Sequence, residues 1–199
     1  MQACQNENGK NKDEAATTVT DSAAKTQANA TTINLSSEEK SFVSAAAAGG
    51  MMEVEAGKLV SLQSQNTAVK AFALQMVKDH TKANEELTAI ATRKGMALPA
   101  TLPAEQLKHL KQLQTLTGKE LDKHYITMMI DDHMKTVDLF GRNSKFNDTE
   151  LKTFALNTLP IIQMHYKKAV ELGKKLNISN MNNGDNLSNV SPDSASLKH

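Results

Sequence analysis

The chain has 199 residues, 23 Lys and Arg against 22 Asp and Glu, and an apolar share of 39%. That length supplies one hydrophobic core with tails to spare. The near-zero net charge lacks the basic face of a nucleic-acid binder, so no nucleic-acid partner is expected. With no Trp, two Tyr and five Phe, stacking platforms for bases or sugars are also disfavoured. One cysteine excludes an internal disulfide and a Cys-rich metal knuckle. No stretch reaches the ~18 apolar residues of a membrane-spanning helix.

Residues 1–35 are rich in Asn, Thr, Ala, Gln and Lys and hold almost nothing to bury. They read as a disordered tail, and residues 177–199 have the same character. A single domain is therefore expected over 36–176. It opens on Ser36-Ser37-Glu38-Glu39, which offers a capping box from Ser36 to Glu39. Phe42, Ala46, Gly49, Glu53, Ala56 and Val60 follow at helical spacing. Gly49-Gly50 reads as a site of close helix packing.

Asn66 is placed to cap a second long helix with the stripe Val69, Phe72, Met76, His80, Leu87, Ile90 and Ala91. Arg93-Lys94-Gly95 ends it. After Pro99 and Pro103 a shorter helix spans Ala104 to Leu116, and Thr117-Gly118 breaks it. The third long helix covers Lys119 to Arg142, with Ile126, Ile130, His133, Val137 and Phe140 on its stripe. Asn147 or Asp148 caps the fourth, where Leu151, Phe154, Ile161, His165, Ala169 and Leu172 share a face. Pro160 falls inside that helix and predicts a bend. Strand-like alternation is absent. The expected fold is all-α: a four-helix bundle with an additional short helix in the connection between long helices two and three.

The informative residues are polar ones on the apolar stripes. Of six histidines, His80, His133 and His165 each fall on the stripe of a long helix, and the remaining long helix carries Glu53. Three imidazoles and a carboxylate are costly to bury unpaired. One divalent ion of Zn, Fe, Mn or Ni, ligated by all four, would satisfy them. Asp79 and Asp132 precede two of these histidines and are expected to serve the other helix's histidine or solvent. Glu55 is a reserve ligand should the first helix be rotated. The alternative is a metal-free network of neutral core histidines bonded to Asp, Tyr or backbone. Asp122, three residues before Tyr125, is a candidate cap or acceptor for the Tyr125 hydroxyl. Glu-x-x-His is absent from the core helices, so the di-iron pattern and iron storage are disfavoured. The methionine pairs Met51-Met52 and Met128-Met129 read as packing.

Together, Gly50-Met51-Met52-Glu53, Gly57-Lys58-Leu59, Val69-Lys70-Ala71-Phe72-Ala73 and Met76-Val77-Lys78-Asp79-His80 form a recognisable set. Gly118, Asp122, Tyr125, Asp132-His133, Leu151-Lys152-Thr153-Phe154-Ala155, Leu159-Pro160 and His165 extend it. Across residues 37–173 the chain resembles the DUF4142 family, bacterial ferritin-like bundles of unknown function. Leu121 departs from the family's usual phenylalanine. The resemblance implies a ferritin-like fold and a cell-envelope location, periplasmic or as an outer-membrane lipoprotein. It also implies that Glu53, His80, His133 and His165 are the characteristic polar positions, and it supplies no reaction. In that setting Gln2-Ala3-Cys4 resembles the remnant of a lipoprotein processing site. Cys4 would be the lipidated residue, attaching the bundle to a membrane through the polar tail. The function expected is an envelope bundle binding one transition metal; the alternative is a metal-free stress-related or protein-interaction module. Whether the protein is an enzyme is left open; with a loosely held Glu53, Asp79 or Asp132 could serve as a base.

Overall fold

The computed structural model describes residues 35–178, so Cys4 and most of both tails lie outside the described residues. Among the described residues there are five α-helices: α1 (Ser37–Gln63), α2 (Thr67–Arg93), α3 (Ala104–Gln114), α4 (Gly118–Gly141) and α5 (Thr149–Lys175). A 3₁₀ turn, Arg142–Lys145, follows α4, and there is no strand among the described residues.

The helix ends follow local chemistry. Ser36 Oγ accepts from the Glu39 amide while the Glu39 carboxylate accepts from the Ser36 amide at 2.8 Å, completing the capping box. Asn66 caps α2, accepting from the amides of Ala68 and Val69. Asp148 caps α5, accepting from Glu150 and Leu151. Gly95, at φ +69°, ends α2 by letting the Met96 amide donate to the Ala91 carbonyl. Asn177, at φ 53°, does the same for α5, where the Ile178 amide donates to the Gly173 carbonyl. Ile178 then packs against the core, two residues beyond the expected boundary at 176.

The helices form two hairpins, α1 with α2 and α4 with α5, which meet through α1 against α4 and α2 against α5. Two polar contacts establish their direction. Ser64 at the end of α1 donates to Asp122 at the start of α4. Lys94 at the end of α2 pairs with Asp148 at the start of α5. The end of α2 and the start of α4 therefore lie at opposite ends of the bundle. The 94–117 connection must run its whole length, and it carries α3 along α1. This is the long crossover of the ferritin-like bundles.

The apolar core falls into two clusters. One, around Phe72, Met76, Tyr125 and Met129, fills the end near the α1–α2 turn. The other, around Phe42, Leu87, Phe140 and Phe154, fills the opposite end. His80, His133 and His165 lie between the two clusters in sequence order on α2, α4 and α5, and Glu53 on α1 lies beside Met52 at the edge of the first cluster. The α2 and α4 stripes lie as expected, but the α5 face is rotated. Ile161 is 42% exposed and Ile162 is 2% exposed, because Ala155, Ile162, Tyr166 and Ala169 form the centre of the buried stripe. Pro160 lies inside α5 without ending it.

Candidate metal centre

Each long helix sends one polar side chain into the middle layer because that residue falls on its buried stripe. His133 is fully buried, His165 and Glu53 nearly so, and His80 is 7% exposed. The three rings form a near-equilateral triangle, with centroid separations of 5.4 Å for His80–His133, 5.3 Å for His80–His165 and 5.5 Å for His133–His165.

One nitrogen of each ring is held from outside the triangle. His80 Nδ1 lies 3.0 Å from Glu53 Oε2. His133 Nδ1 lies 3.0 Å from the Met129 carbonyl oxygen and 3.4 Å from Glu53 Oε1. His165 Nε2 lies 2.9 Å from Asp79 Oδ2. These oxygens only accept, so each held nitrogen carries its proton. The opposite nitrogens, His80 Nε2, His133 Nε2 and His165 Nδ1, are buried and have no hydrogen-bond partner. Ring nitrogens of the three residues come within 4.8 Å of one another.

The electrostatics follow from burial and the two acids. Burial drives the His133 imidazole down to about 4, the nearby Glu53 carboxylate offsetting only part of the effect. Burial lowers His165 as well, against the opposing pull of Asp79. These two rings are neutral at pH 7, with a lone pair on the free nitrogen. Burial would also lower His80, but Glu53 outweighs it and raises that imidazole. Burial would raise Glu53, but His80 and His133 outweigh it and hold the carboxyl at about 2. The centre thus carries a fixed anion behind the rings and nitrogen donors in front.

The sequence-predicted residues divide into those the structure gathers and those it separates. Glu53 joins the cluster, yet its oxygens sit on the Nδ1 side of His80 and His133, behind the rings. Asp79 crosses from α2 to the histidine of α5 and also accepts from Gln75. Asp132 holds no cluster histidine among the described residues. It is half-buried, 3.8 Å from Lys135, and burial followed by the charge of Glu53 pushes its carboxyl up. Asp122 accepts from Ser64 at 2.6 Å and ties α4 to the α1–α2 turn, which displaces the expected pairing with Tyr125. The Tyr125 hydroxyl is buried without a partner, and burial with the charge of Glu53 raises it far above the ordinary phenol range. Glu55 is exposed and paired with Lys58 at 2.7 Å, so it is no reserve ligand. The Met129 carbonyl has no sequence signal, since any residue one turn before a buried histidine offers the same group.

A family model for a domain of unknown function, DUF4142, matches residues 22–172. The chain belongs to the DUF4142 family. Among solved structures, it is similar to a DUF305 fragment from Deinococcus radiodurans, with a TM-score of 0.63 and 15% identity, covering 71% of this chain and 99% of that one. It is also similar to a putative secreted DUF305 protein from Streptomyces coelicolor, with a TM-score of 0.60 and 13% identity, covering 70% of this chain and 93% of that one. At these identities the likeness speaks for the helical-bundle fold alone. No match was found among curated proteins. No described helix of this DUF4142 protein is long and apolar enough to cross a membrane.

Proposed function

We propose that this DUF4142 protein is an extracytoplasmic bundle that holds one divalent transition-metal ion between His80, His133 and His165. The reading rests on three buried histidines that each offer a ring nitrogen within 4.8 Å of the others' and that each keep one buried ring nitrogen without a hydrogen-bond partner. Leaving three such groups unmet in an apolar core costs free energy that a cation would recover. Nitrogen donors suit Zn, Fe, Mn or Ni. Glu53, Asp79 and the Met129 carbonyl each hold the far side of a ring, which orients the ligands and raises their basicity.

Three protein ligands leave a coordination position for water or a small ligand, the arrangement of catalytic and sensing sites rather than closed structural ones. This favours an open centre over the four-ligand one with Glu53. The extracytoplasmic setting is supported by the secreted description of the Streptomyces coelicolor neighbour. Membrane attachment through a lipidated Cys4 belongs to the same reading, and palmitate labelling of the full-length precursor tests it. The metal itself is tested by elemental analysis of protein purified without a His-tag. About one ion per chain, lost in both His80→Ala and His133→Ala, is expected. No metal, with thermal stability unmoved by Zn, Fe, Mn or Ni, would overturn the reading and leave the metal-free interaction module.

A further inference from the structure

Three glycines lie in the middle of α1, where glycine costs helix stability relative to alanine. Two have a packing reason. A Cβ on Gly57 would stand 2.9 Å from the Ala73 carbonyl oxygen and 2.9 Å from Val77 Cγ2. A Cβ on Gly50 would collide with the Asn84 side chain. A Cβ on Gly49 would meet nothing within 4 Å. Its missing side chain makes no room for a neighbour, so it leaves space.

That space has a definite position. Gly49 lines a cleft of about 330 Å³ between α1, α3 and α4. It also lines an inner cavity of about 40 Å³ that reaches His80. Ala45, Glu53, Thr136 and Leu139 border both voids as well. Glu53, which touches His80 and His133, is therefore the floor of the outer cleft and a wall of the inner one. The cleft wall carries Glu105 and His109, one turn apart on α3, and faces Asp132 and Lys135 on α4; Lys108 stands 3.2 Å from Glu105 and Lys135 3.8 Å from Asp132, both at exposed ends. The three carboxylates of Glu53, Glu105 and Asp132 outnumber the one lysine of the lining, Lys135, and an excess of negative charge in a narrow opening concentrates cations, with the His109 imidazole as a transient nitrogen donor.

We propose that this cleft is the route by which a divalent cation reaches the three histidines, with Gly49 holding it open and Glu105, His109 and Asp132 drawing the ion in. The proposal rests on the metal-site reading and adds to it a path and a kinetic role for residues that touch no ligand. The groove between α2 and α5, which His165 borders, is the competing entrance.

The test is the rate of Zn²⁺ uptake by the metal-free full chain, read by competition with a chromophoric chelator, beside the stoichiometry at equilibrium. Gly49→Leu should still bind one ion but load and release it several-fold more slowly. Glu105→Gln/His109→Gln, on the exposed face of α3, should retain stoichiometry and load roughly tenfold more slowly at low salt. The gap should shrink as ionic strength rises. Wild-type loading rates in both variants, each with one ion bound, would overturn the route and point to the α2–α5 groove. Should Gly49→Leu not fold, the α3 variant decides alone. A wild-type chain that binds no Zn²⁺ removes the site itself and the route with it, an outcome the stoichiometry separates from failure of the route.

Discussion

The Glu53 carboxylate stands 3.0 Å from His80 Nδ1 and 3.4 Å from His133 Nδ1, so one acid braces two imidazoles from behind. It leaves both Nε2 atoms free. This pairing raises the His80 imidazole above its ordinary value and holds the Glu53 carboxyl at about 2. Were an ion held by the three histidines, His80 would bind it through Nε2 as a neutral ring, its Nδ1 proton directed at Glu53.

Glu53→Gln should therefore weaken the metal without removing the site. Loss of an outer partner on a histidine ligand lowers affinity by roughly 10–100-fold. Competition titration should show that drop with one ion still bound at saturation, whereas His133→Ala should bind none. Loss of the ion altogether in Glu53→Gln would make Glu53 a ligand, as the stripe pattern alone suggests.

The distinction between ligand and brace marks how far the sequence can be read. Helical phase placed His80 and His133 inside because each sits between apolar residues at three- and four-residue spacing. Phase says nothing of axial level or of which ring nitrogen faces which oxygen. The ~100° step between neighbours on a helix turns Asp79 and Asp132 away from their own helix's histidine, but it does not say that Asp79 reaches His165 of α5 while Asp132 lies near Lys135. The Ser64–Asp122 bond does not follow, because its partners are 58 residues apart and meet only through the crossover. The choice between Ile161 and Ile162 failed for a related reason. Both lie near the axis through Phe154 and His165, and Ala155 and Tyr166 settle which one faces inward.

Metal binding should stabilise the bundle by an amount that grows with the logarithm of the free ion concentration above Kd. At a free ion concentration 100 times Kd the linkage contributes about 2.7 kcal/mol. For a domain of this size that raises Tm by roughly 5–10 °C. The shift should vanish with a chelator and be absent from His165→Ala. A chelator-insensitive Tm in a protein shown to hold metal would contradict the coupling.

The neighbouring glycines of α1 should respond with opposite sign. Gly57→Ala forces a methyl against the Ala73 carbonyl and should destabilise by about 1–3 kcal/mol, as overpacking does. Gly49→Ala has open space and should gain up to about 1 kcal/mol of helix propensity. Denaturant titrations of the two variants check both signs, and equal destabilisation would mean that the open volume beside Gly49 is filled in solution.

Glu39 supplies the pH dependence away from the metal. It is buried, and its carboxylate accepts from the amides of Ser36 at 2.8 Å, Asn147 at 2.8 Å and Asp148 at 2.7 Å, pinning the start of α1 to the start of α5. Burial alone would raise this carboxyl, but the amides of Asp148, Ser36 and Asn147 outweigh it and hold it below its ordinary value of 4.5. A carboxyl lowered in the folded state contributes stability that is whole above the unfolded value and is lost as pH falls through the folded one. Glu39→Gln keeps the shape and removes the charge. It should cost about 1.5–3 kcal/mol at pH 7, the range for hydrogen bonds to a charged group. The difference from wild type should narrow below about pH 4.5 and close once Glu39 is protonated in both states. Urea titrations of the two proteins from pH 7 down to pH 3 measure it. A gap that stays constant across that range would assign the loss to altered packing at the α1–α5 junction rather than to the carboxylate charge.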